Sequence, residues 1–494
     1  MISNTSLRAI SMLAGISIFA CSSTDSPATS GGSSGTSAGG GSSAGAGKSG
    51  AGAGNGNIAG ANSAGASTGG ASTAGSGSSS AGAAGASATG GSSSGASGAS
   101  NGGGGGGGAA PSGGSPGTAG GAAMTGGFPE NTGAACTATA GVTKANPKLP
   151  NPFAMHDGTV ITTKAQWECR RNEIKKDLEK FEIGPKQEPA MVKATLSGKM
   201  LSVVVTNSTG SLTLSSTVSG SGSCVALGMN GASGILSGCT QIPFMHDQIV
   251  KYAQDSTQSK SDPFYKLYPD LFGKIGNYSA WSWGISRLID GIEQVKDQLM
   301  VNPAKIGVQG CSYAGKMALF GGALDERIAL TVAEESGGGG INSWRTSQDF
   351  NKRTGTSIEK IDNTNYAWFM SSMKGLDPYS LPHDHHELVA MVAPRAFIAL
   401  GNADYEWLGD ESGYKSLMAA QEVWKAMGVA DHFGYDFTSG HDHCQAPAVQ
   451  TASVKTFADR YLRGTSTTSS VAIKPTSTKF DLTYALDWQT PTLQ

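Results

Sequence analysis

Ser312 is the residue in this chain best placed to become a nucleophile. The run Gly310-Cys311-Ser312-Tyr313-Ala314-Gly315-Lys316 follows a short β-type stretch, 305–309, and precedes the small, apolar stretch 317–324. A strand, a tight turn holding a serine, and then a helix make the layout of a nucleophile elbow, where the serine oxygen is pushed out at the top of a sheet. The helix that follows points its N-terminus at any negative charge that develops there. The usual second glycine is replaced by Ala314, with Gly315 one residue further on. A serine capping a helix in any α/β protein would leave the same local pattern, so the partners decide. A serine hydroxyl needs a base in contact, and a histidine base needs an acid to orient it and stabilise its cation. Along an α/β-hydrolase chain the order is serine, acid, histidine, each at a strand end. Here Glu335 ends the next strand, Asp404 and Asp410 follow a later one, and His441 and His443 lie in the last loop. Of the adjacent pair Glu334 and Glu335, one faces the histidine and Glu334 is expected in solvent.

The elements that must hold these residues read as alternating strands and helices. Residues 164–174 form a helix with Thr162 or Thr163 as N-cap. Three alternating runs, 194–196, 201–205 and 212–215, read as strands separated by turn residues. The stretch 224–231 reads as a buried strand ending in a Gly-rich loop. Such a loop supplies an oxyanion N–H in hydrolases of this layout, with Gly228, Met229 and Asn230 as candidates. A helix over 280–292 carries Ile285, Leu288, Ile289 and Ile292 on one core-facing stripe. Strands over 327–333 and 395–401 and a helix over 420–426 follow, and 436–438 leads into the histidine loop. The pattern predicts a mostly parallel, three-layer α/β sandwich over 135–494.

What precedes that domain is of another kind. Residues 1–20 read as a signal peptide, with Arg8 before an apolar core over 9–20 that is too short to span a bilayer. Ile18-Phe19-Ala20-Cys21 has the form of a bacterial lipobox, with Cys21 carrying the lipid and Ser22 compatible with outer-membrane sorting; an ordinary cleaved signal is the alternative. From 21 to 134 the chain is almost entirely Gly, Ser, Ala, Thr and Asn, and before Glu130 only Asp25 and Lys48 carry charge. Such a segment buries too little apolar surface to offset its ordering entropy and reads as a disordered tether, with a reach of roughly 55–60 Å. A net charge of −2 and the lack of a basic tract point away from nucleic acid. Apart from Cys21 the cysteines are Cys136, Cys169, Cys224, Cys239, Cys311 and Cys444, an even number that suggests disulfides in an exported chain.

These residues fall into a pattern that resembles the glucuronoyl esterases, carbohydrate esterase family 15. The likeness is carried by Gly310-Cys311-Ser312 with Gly315-Lys316, by the run 322–330, by Glu335-Ser336-Gly337 and by Trp344-Arg345. It continues in Trp167-Glu168-Cys169-Arg170-Arg171, the 281–290 helix, His386-Glu387-Leu388 and Ala393-Pro394-Arg395, then in the run 404–409 and in His443-Cys444. It covers roughly 145–450. The resemblance implies an α/β-hydrolase with a Ser-Glu-His triad, no metal and no cofactor, which cleaves esters between glucuronic acid side groups of xylan and lignin alcohols. Carried over, it assigns Ser312, Glu335 and His443 as the triad, with Asp404 or Asp410 able to share the acid's role. It implies disulfides Cys311–Cys444 and Cys136–Cys169, which leaves Cys224 with Cys239. It gives Lys316, Trp407 and Glu359 to the sugar and the oxyanion to the residue after the serine, Tyr313, beside which Gly228 is the candidate from the earlier loop. One departure stands out: the family's arginine after the serine is here Tyr313, whose backbone N–H alone remains as donor.

The same residues admit other readings. His383, His385 and His386 with His441 and His443 could suggest a metal, yet no matched carboxylate or cysteine spacing accompanies them. Lys316 could be a surface lysine and Trp407 a core residue. The triad would serve another carbohydrate esterase, such as an acetyl xylan esterase, equally well, and a non-catalytic glycan-binding lipoprotein could use the same fold. The expected partners are glucuronoxylan and lignin-carbohydrate esters, with membrane contact only through a lipid on Cys21, no nucleic acid, and a monomeric state.

Overall fold

The computed structural model describes residues 129–188, 190–469, 480–483 and 485–494. The expected signal peptide, Cys21 and nearly all of the tether lie outside them. Among the described residues, no helix is long and apolar enough to cross a membrane.

Six strands form one parallel sheet in the order β5-β4-β6-β7-β8-β9. They are β4 Val225–Gly228, β5 Thr240–Gln241, β6 Ile306–Cys311, β7 Ile328–Glu334, β8 Ala396–Gly401 and β9 Phe433–Phe437. The three earlier strands differ from this pattern. β1 Met191–Ser197, β2 Met200–Thr206 and β3 Ser211–Thr217 make a separate antiparallel sheet. Short turns join them, which permits antiparallel pairing, whereas parallel neighbours need long crossovers. Leu201, Val203, Val205, Leu212 and Leu214 alternate onto the inner face and are buried, with the less buried Ser202, Val204 and Thr213 between them.

The helices are α1 Lys164–Leu178, α2 Pro263–Leu267, α3 Asn277–Gln294, α4 Lys296–Leu299, α5 Tyr313–Leu324, α6 Trp344–Thr354, α7 His385–Ala390, α8 Asp410–Ala426 and α9 Ala448–Phe457. Thr163 is the N-cap of α1, in a capping box with Gln166. α3 is buried on nearly all sides rather than along one stripe, because the small sheet covers one flank and α5 the other. A Cβ on Gly291 would meet Val203 Cγ2 at 2.3 Å, and one on Gly321 would meet Ile285 at 2.9 Å.

The parallel sheet packs on both faces. Phe397 and Ala399 of β8 join the large core with α3, α5 and α8, while Ala396, Ile398 and Leu400 pack with Val454, Phe457 and Leu462 on the opposite face. Three disulfides form: Cys136–Cys169, Cys224–Cys239 and Cys311–Cys444.

The ordered contacts start before the expected boundary at 135. Glu130 pairs with Lys186 and, at 2.8 Å, with Arg287. Thr132 donates to Glu326 at 2.6 Å through its N–H. Glu130 is the first charge after a long neutral stretch, and its two buried cationic partners fix that end of the chain to the domain.

Candidate active site

The sheet presents its site at the carboxyl ends of β6, β7, β8 and β9. Ser312 sits between β6 and α5 with φ 58° and ψ −125°, a conformation that side chains rarely adopt. Two close backbone approaches hold it. A Cβ at Gly310 would lie 2.2 Å from the Ala314 carbonyl oxygen, and one at Gly315 would lie 2.4 Å from the Glu334 carbonyl oxygen. The second glycine of this elbow is therefore the one facing β7, which explains why alanine is tolerated at 314. The Ser312 N–H donates to the Glu334 carbonyl at 3.0 Å, tying the turn to the neighbouring strand.

Glu335 follows β7 with φ 42°, and its N–H donates to the Leu400 carbonyl at 2.8 Å. The turn sends its carboxylate under the last loop. Glu335 Oε2 is in hydrogen-bond contact with His443 Nδ1 and also accepts the Cys444 N–H at 3.3 Å. The Cys311–Cys444 disulfide, with Cα atoms 5.6 Å apart, fastens the residue before Ser312 to the residue after His443. Serine, acid and histidine are thus gathered by one hydrogen bond and one covalent link.

The two histidines of the loop part company. His441 is turned into backbone: Nε2 lies 2.8 Å from the Thr438 carbonyl, Nδ1 lies 3.0 Å from that of Asp442, and Glu335 Oε1 is 3.7 Å away. The His443 side chain keeps 26% of its surface exposed. Asp404 and Asp410 hold the surroundings instead. Asp404 Oδ2 accepts the Gly440 N–H at 2.6 Å, and Asp410 Oδ1 accepts the Tyr435 hydroxyl at 2.9 Å.

The loop after Glu335 gathers the residues expected to meet a sugar. A Cβ at Gly338 would strike the Glu359 carbonyl oxygen at 2.2 Å, and one at Gly337 would sit 3.2 Å from Leu408. The glycine run thus lies between Glu359 and the segment carrying Trp407. Lys316, buried on the first turn of α5, pairs with Glu359 Oε2, whose Oε1 accepts the Thr364 hydroxyl at 2.7 Å. Lys316 Nζ also lies 5.5 Å from the Trp368 ring centre. Trp407 is 43% exposed and meets the His443 ring edge-on at 5.0 Å, so it is neither core nor remote from that histidine.

On the oxyanion side the expectation divides. Tyr313 is the first residue of α5, so its N–H has no carbonyl one turn behind it. Gly228 belongs to β4 itself, not to a loop, and its carbonyl accepts the Phe244 N–H at 2.9 Å. Its neighbours are committed to the sheet, Met229 N–H to Gln309 and Asn230 N–H to Phe244, each at 2.9 Å. What Gly228 supplies is room, because a Cβ there would lie 2.0 Å from the Gly231 carbonyl oxygen. The Tyr313 hydroxyl contacts Asn230 Nδ2 at 3.2 Å and His246 Nε2 at 3.1 Å, and its ring lies 4.3 Å from Tyr252. Burial, with Tyr252 nearby, pushes this phenol up to about 12, so it is neutral at physiological pH.

Glu334 departs from expectation. It is 2% exposed, not solvated. It pairs with Cys311 in the β6–β7 register, which turns it toward Gln309, and Gln309 Nε2 donates to its Oε2 at 2.8 Å. Burial and the adjacent Glu335 push this carboxyl up to about 7.

The histidines at 383 and 385 are fully buried around Glu182, which rules them into the core. Among the described residues, the grouping that comes nearest to a metal site is Cys311, His443 and Cys444, whose two sulfurs are bonded to each other. Residue types and spacing did not reveal Tyr405, whose hydroxyl accepts the His443 N–H at 3.0 Å, or Asn402, which donates to the His441 carbonyl at 2.7 Å. Their position just after β8, at the sheet's carboxyl edge, was the available signal.

A parallel sheet with a strained serine between a central strand and its helix, and with an acid and a histidine at later strand ends, defines an α/β-hydrolase. The family described as "Glucuronyl esterase, fungi" matches residues 200–428. The 4-O-methyl-glucuronoyl methylesterase of Schizophyllum commune is 37% identical over 374 residues, covering 71% of this chain and 92% of the relative. The glucuronoyl esterase catalytic domain from Hypocrea jecorina superposes with a TM-score of 0.63 at 31% identity, covering 71% of this chain and 98% of that one. A serine-to-alanine variant of the Sporotrichum thermophile glucuronoyl esterase, solved with methyl 4-O-methyl-β-D-glucopyranuronate, gives 0.62 at 35%, covering 69% and 95%. The chain belongs to the glucuronoyl esterase family, and is a carboxylic ester hydrolase.

Proposed function

We propose that this protein hydrolyses esters of glucuronic acid and 4-O-methyl-glucuronic acid side groups of xylan with lignin alcohols, through an acyl-enzyme on Ser312. The observation that carries the reading is the contact of Glu335 Oε2 with His443 Nδ1, on a loop bonded covalently to the residue before Ser312. His443 Nε2 takes the proton as Ser312 Oγ attacks the ester carbonyl. Glu335 fixes the tautomer and stabilises the imidazolium. The oxyanion is met by the Tyr313 N–H and the N-terminus of α5. His443 then returns the proton to the leaving alcohol, and a water molecule, activated the same way, releases the uronic acid. Gly228 shapes the neighbouring loop in this scheme and donates nothing. Lys316 and Glu359 present a charged pair to sugar hydroxyls, and exposed Trp407 offers a ring face beside the base.

The domain over 130–494 works, in this reading, as a monomer exported on the 1–20 signal and held at the cell surface by a lipid on Cys21 through the Gly/Ser/Ala tether. The lipobox-like sequence at 18–21 supports that anchor. Hydrolysis of methyl 4-O-methyl-glucuronate set against release of acetate from acetylated xylosides tests the substrate. Faster acetate release would make this an acetyl esterase. Binding of glucuronoxylan with no phosphonate labelling of Ser312 would make it a binding protein.

A further inference from the structure

The site contains a second buried carboxyl that the reaction scheme leaves idle. Glu334 immediately precedes Glu335, the residue that contacts His443, and is buried where four elements meet. β6 contributes Gln309 Nε2, which is bonded to Oε2. β7 contributes Glu335 itself. β8 contributes apolar Leu400, in register with Glu334. The loop after β9 contributes His441 and the Ala446 N–H. The charged or titratable groups around Glu334 are Glu335 and His441, and Asp436 of β9 lies one strand beyond Leu400 in the same register. His441 is held by backbone carbonyls. No guanidinium or ammonium group is among its hydrogen-bond or ion-pair partners within the described residues. Its Oε1 is buried without a hydrogen-bond partner, and so is Oε1 of Glu335. Two carboxyls side by side, out of water and with no cation between them, cannot both ionise cheaply. Glu335 already has its own partners in His443 and the Cys444 N–H.

We propose that Glu334 is a positioning residue that acts as a charge switch on the base: neutral at mildly acidic pH, it leaves Glu335 as the lone carboxylate behind His443, and once ionised it adds a second negative charge that favours proton transfer to the imidazole. The buried carboxyl's rise to about 7 agrees with this arrangement. A negative charge added next to Glu335 favours the imidazolium that Glu335 holds, so the proton leaves Ser312 more readily at alkaline pH. The inference rests on the Ser312–Glu335–His443 assignment.

The test follows the rate at which a serine-directed phosphonate labels Ser312 in the full chain between pH 5.5 and 9, for the wild type and for Glu334→Gln, which keeps the hydrogen bond and the volume but stays neutral. The wild-type rate should rise through two ionisations and the variant's through one. The ratio of wild type to E334Q should grow about three- to tenfold across the range. Parallel profiles overturn the inference, as does a loss in E334Q that is equal at every pH, which would mark Glu334 as structural only. If E334Q does not fold, the wild-type profile alone decides, because a single ionisation there is equally fatal. No labelling of either protein overturns the Ser312 assignment itself, and this inference with it.

Discussion

The chain uses a glutamate facing histidine twice, with opposite results. At the π-helical turn Glu179–Ile183, Glu182 meets His383 Nε2 at 2.7 Å and His385 Nε2 at 2.9 Å, and all three side chains are wholly buried. Trp344 Nε1 donates to the same carboxylate at 2.9 Å. At the sheet edge, Glu335 holds one histidine by Nδ1, and a quarter of that side chain remains open to solvent. Both acids are buried. What differs is the imidazole: in the first cluster each ring spends its Nε2 on the carboxylate, whereas in the second the acid takes Nδ1 and leaves Nε2 free to move a proton. One Glu–His pair is sealed in the core; the other, in the proposed reaction, works on substrate.

The comparison can be broken most sharply at the nucleophile. Ser312→Ala or His443→Ala should lower ester hydrolysis about 10⁴-fold or more, and the double variant should be no worse, since the triad acts as a unit. Glu335→Ala should cost about 10³-fold in kcat with little change in KM. An enzyme that keeps most of its activity without Glu335 and loses it in Asp404→Asn would move the acid to Asp404.

Glu182→Ala should do the reverse. It should cost about 3–5 kcal/mol of stability by leaving two buried imidazoles unpaired, while the folded fraction turns over normally. Its pH dependence has a definite sign. Burial alone would raise Glu182, but His385 and His383 hold it far below its ordinary 4.5, so its contribution is present above that value and fades as pH falls. Burial would lower His383 and His385, yet Glu182 raises both above 6.5, so theirs is complete below 6.5 and fades as pH rises through the raised values. The gap in Tm between wild type and E182A should therefore be widest between pH 4.5 and 6.5 and should narrow in alkali. A gap that is flat from pH 5 to 9 would show that the cluster is held by packing instead.

A smaller effect is expected at Asp404. Asp404→Asn should slow hydrolysis less than about tenfold, because it loosens the Gly440 end of the histidine loop without touching the base. The smallest is at Tyr313. Tyr313→Arg should raise kcat by no more than about tenfold if a charged oxyanion donor is the missing element. No change would show that the Asn230–Tyr313–His246 arrangement already meets that need.

Much of this was legible in the residues. The elbow, the strand ends carrying Glu335 and the last loop, and the alternation of the central elements all follow from local patterns, because strand and helix periods are set by neighbours in sequence. The antiparallel β1–β3 sheet was visible as strands but not as a separate sheet, since pairing partners are a matter of tertiary contact. Glu334 was misjudged for a related reason: adjacent strand residues do face opposite ways, but β8 and the loop after β9 bury both sides of β7's end. Gly228 was placed one residue too late in its element, in a loop rather than the strand, because burial alone cannot tell a strand end from the turn after it.

By itself the sequence determined the fold class and the family, and set out a serine, an acid and a histidine in that order, because these depend on residue identity and spacing along one chain. Only the tertiary structure showed that Glu335 contacts His443 while His441 turns to backbone, that Asp404 and Asp410 bond to Gly440 and Tyr435, and that His383 and His385 close on a buried carboxylate. Each contact turns on which donor faces which oxygen. That is fixed by strands and loops brought together from more than a hundred residues apart.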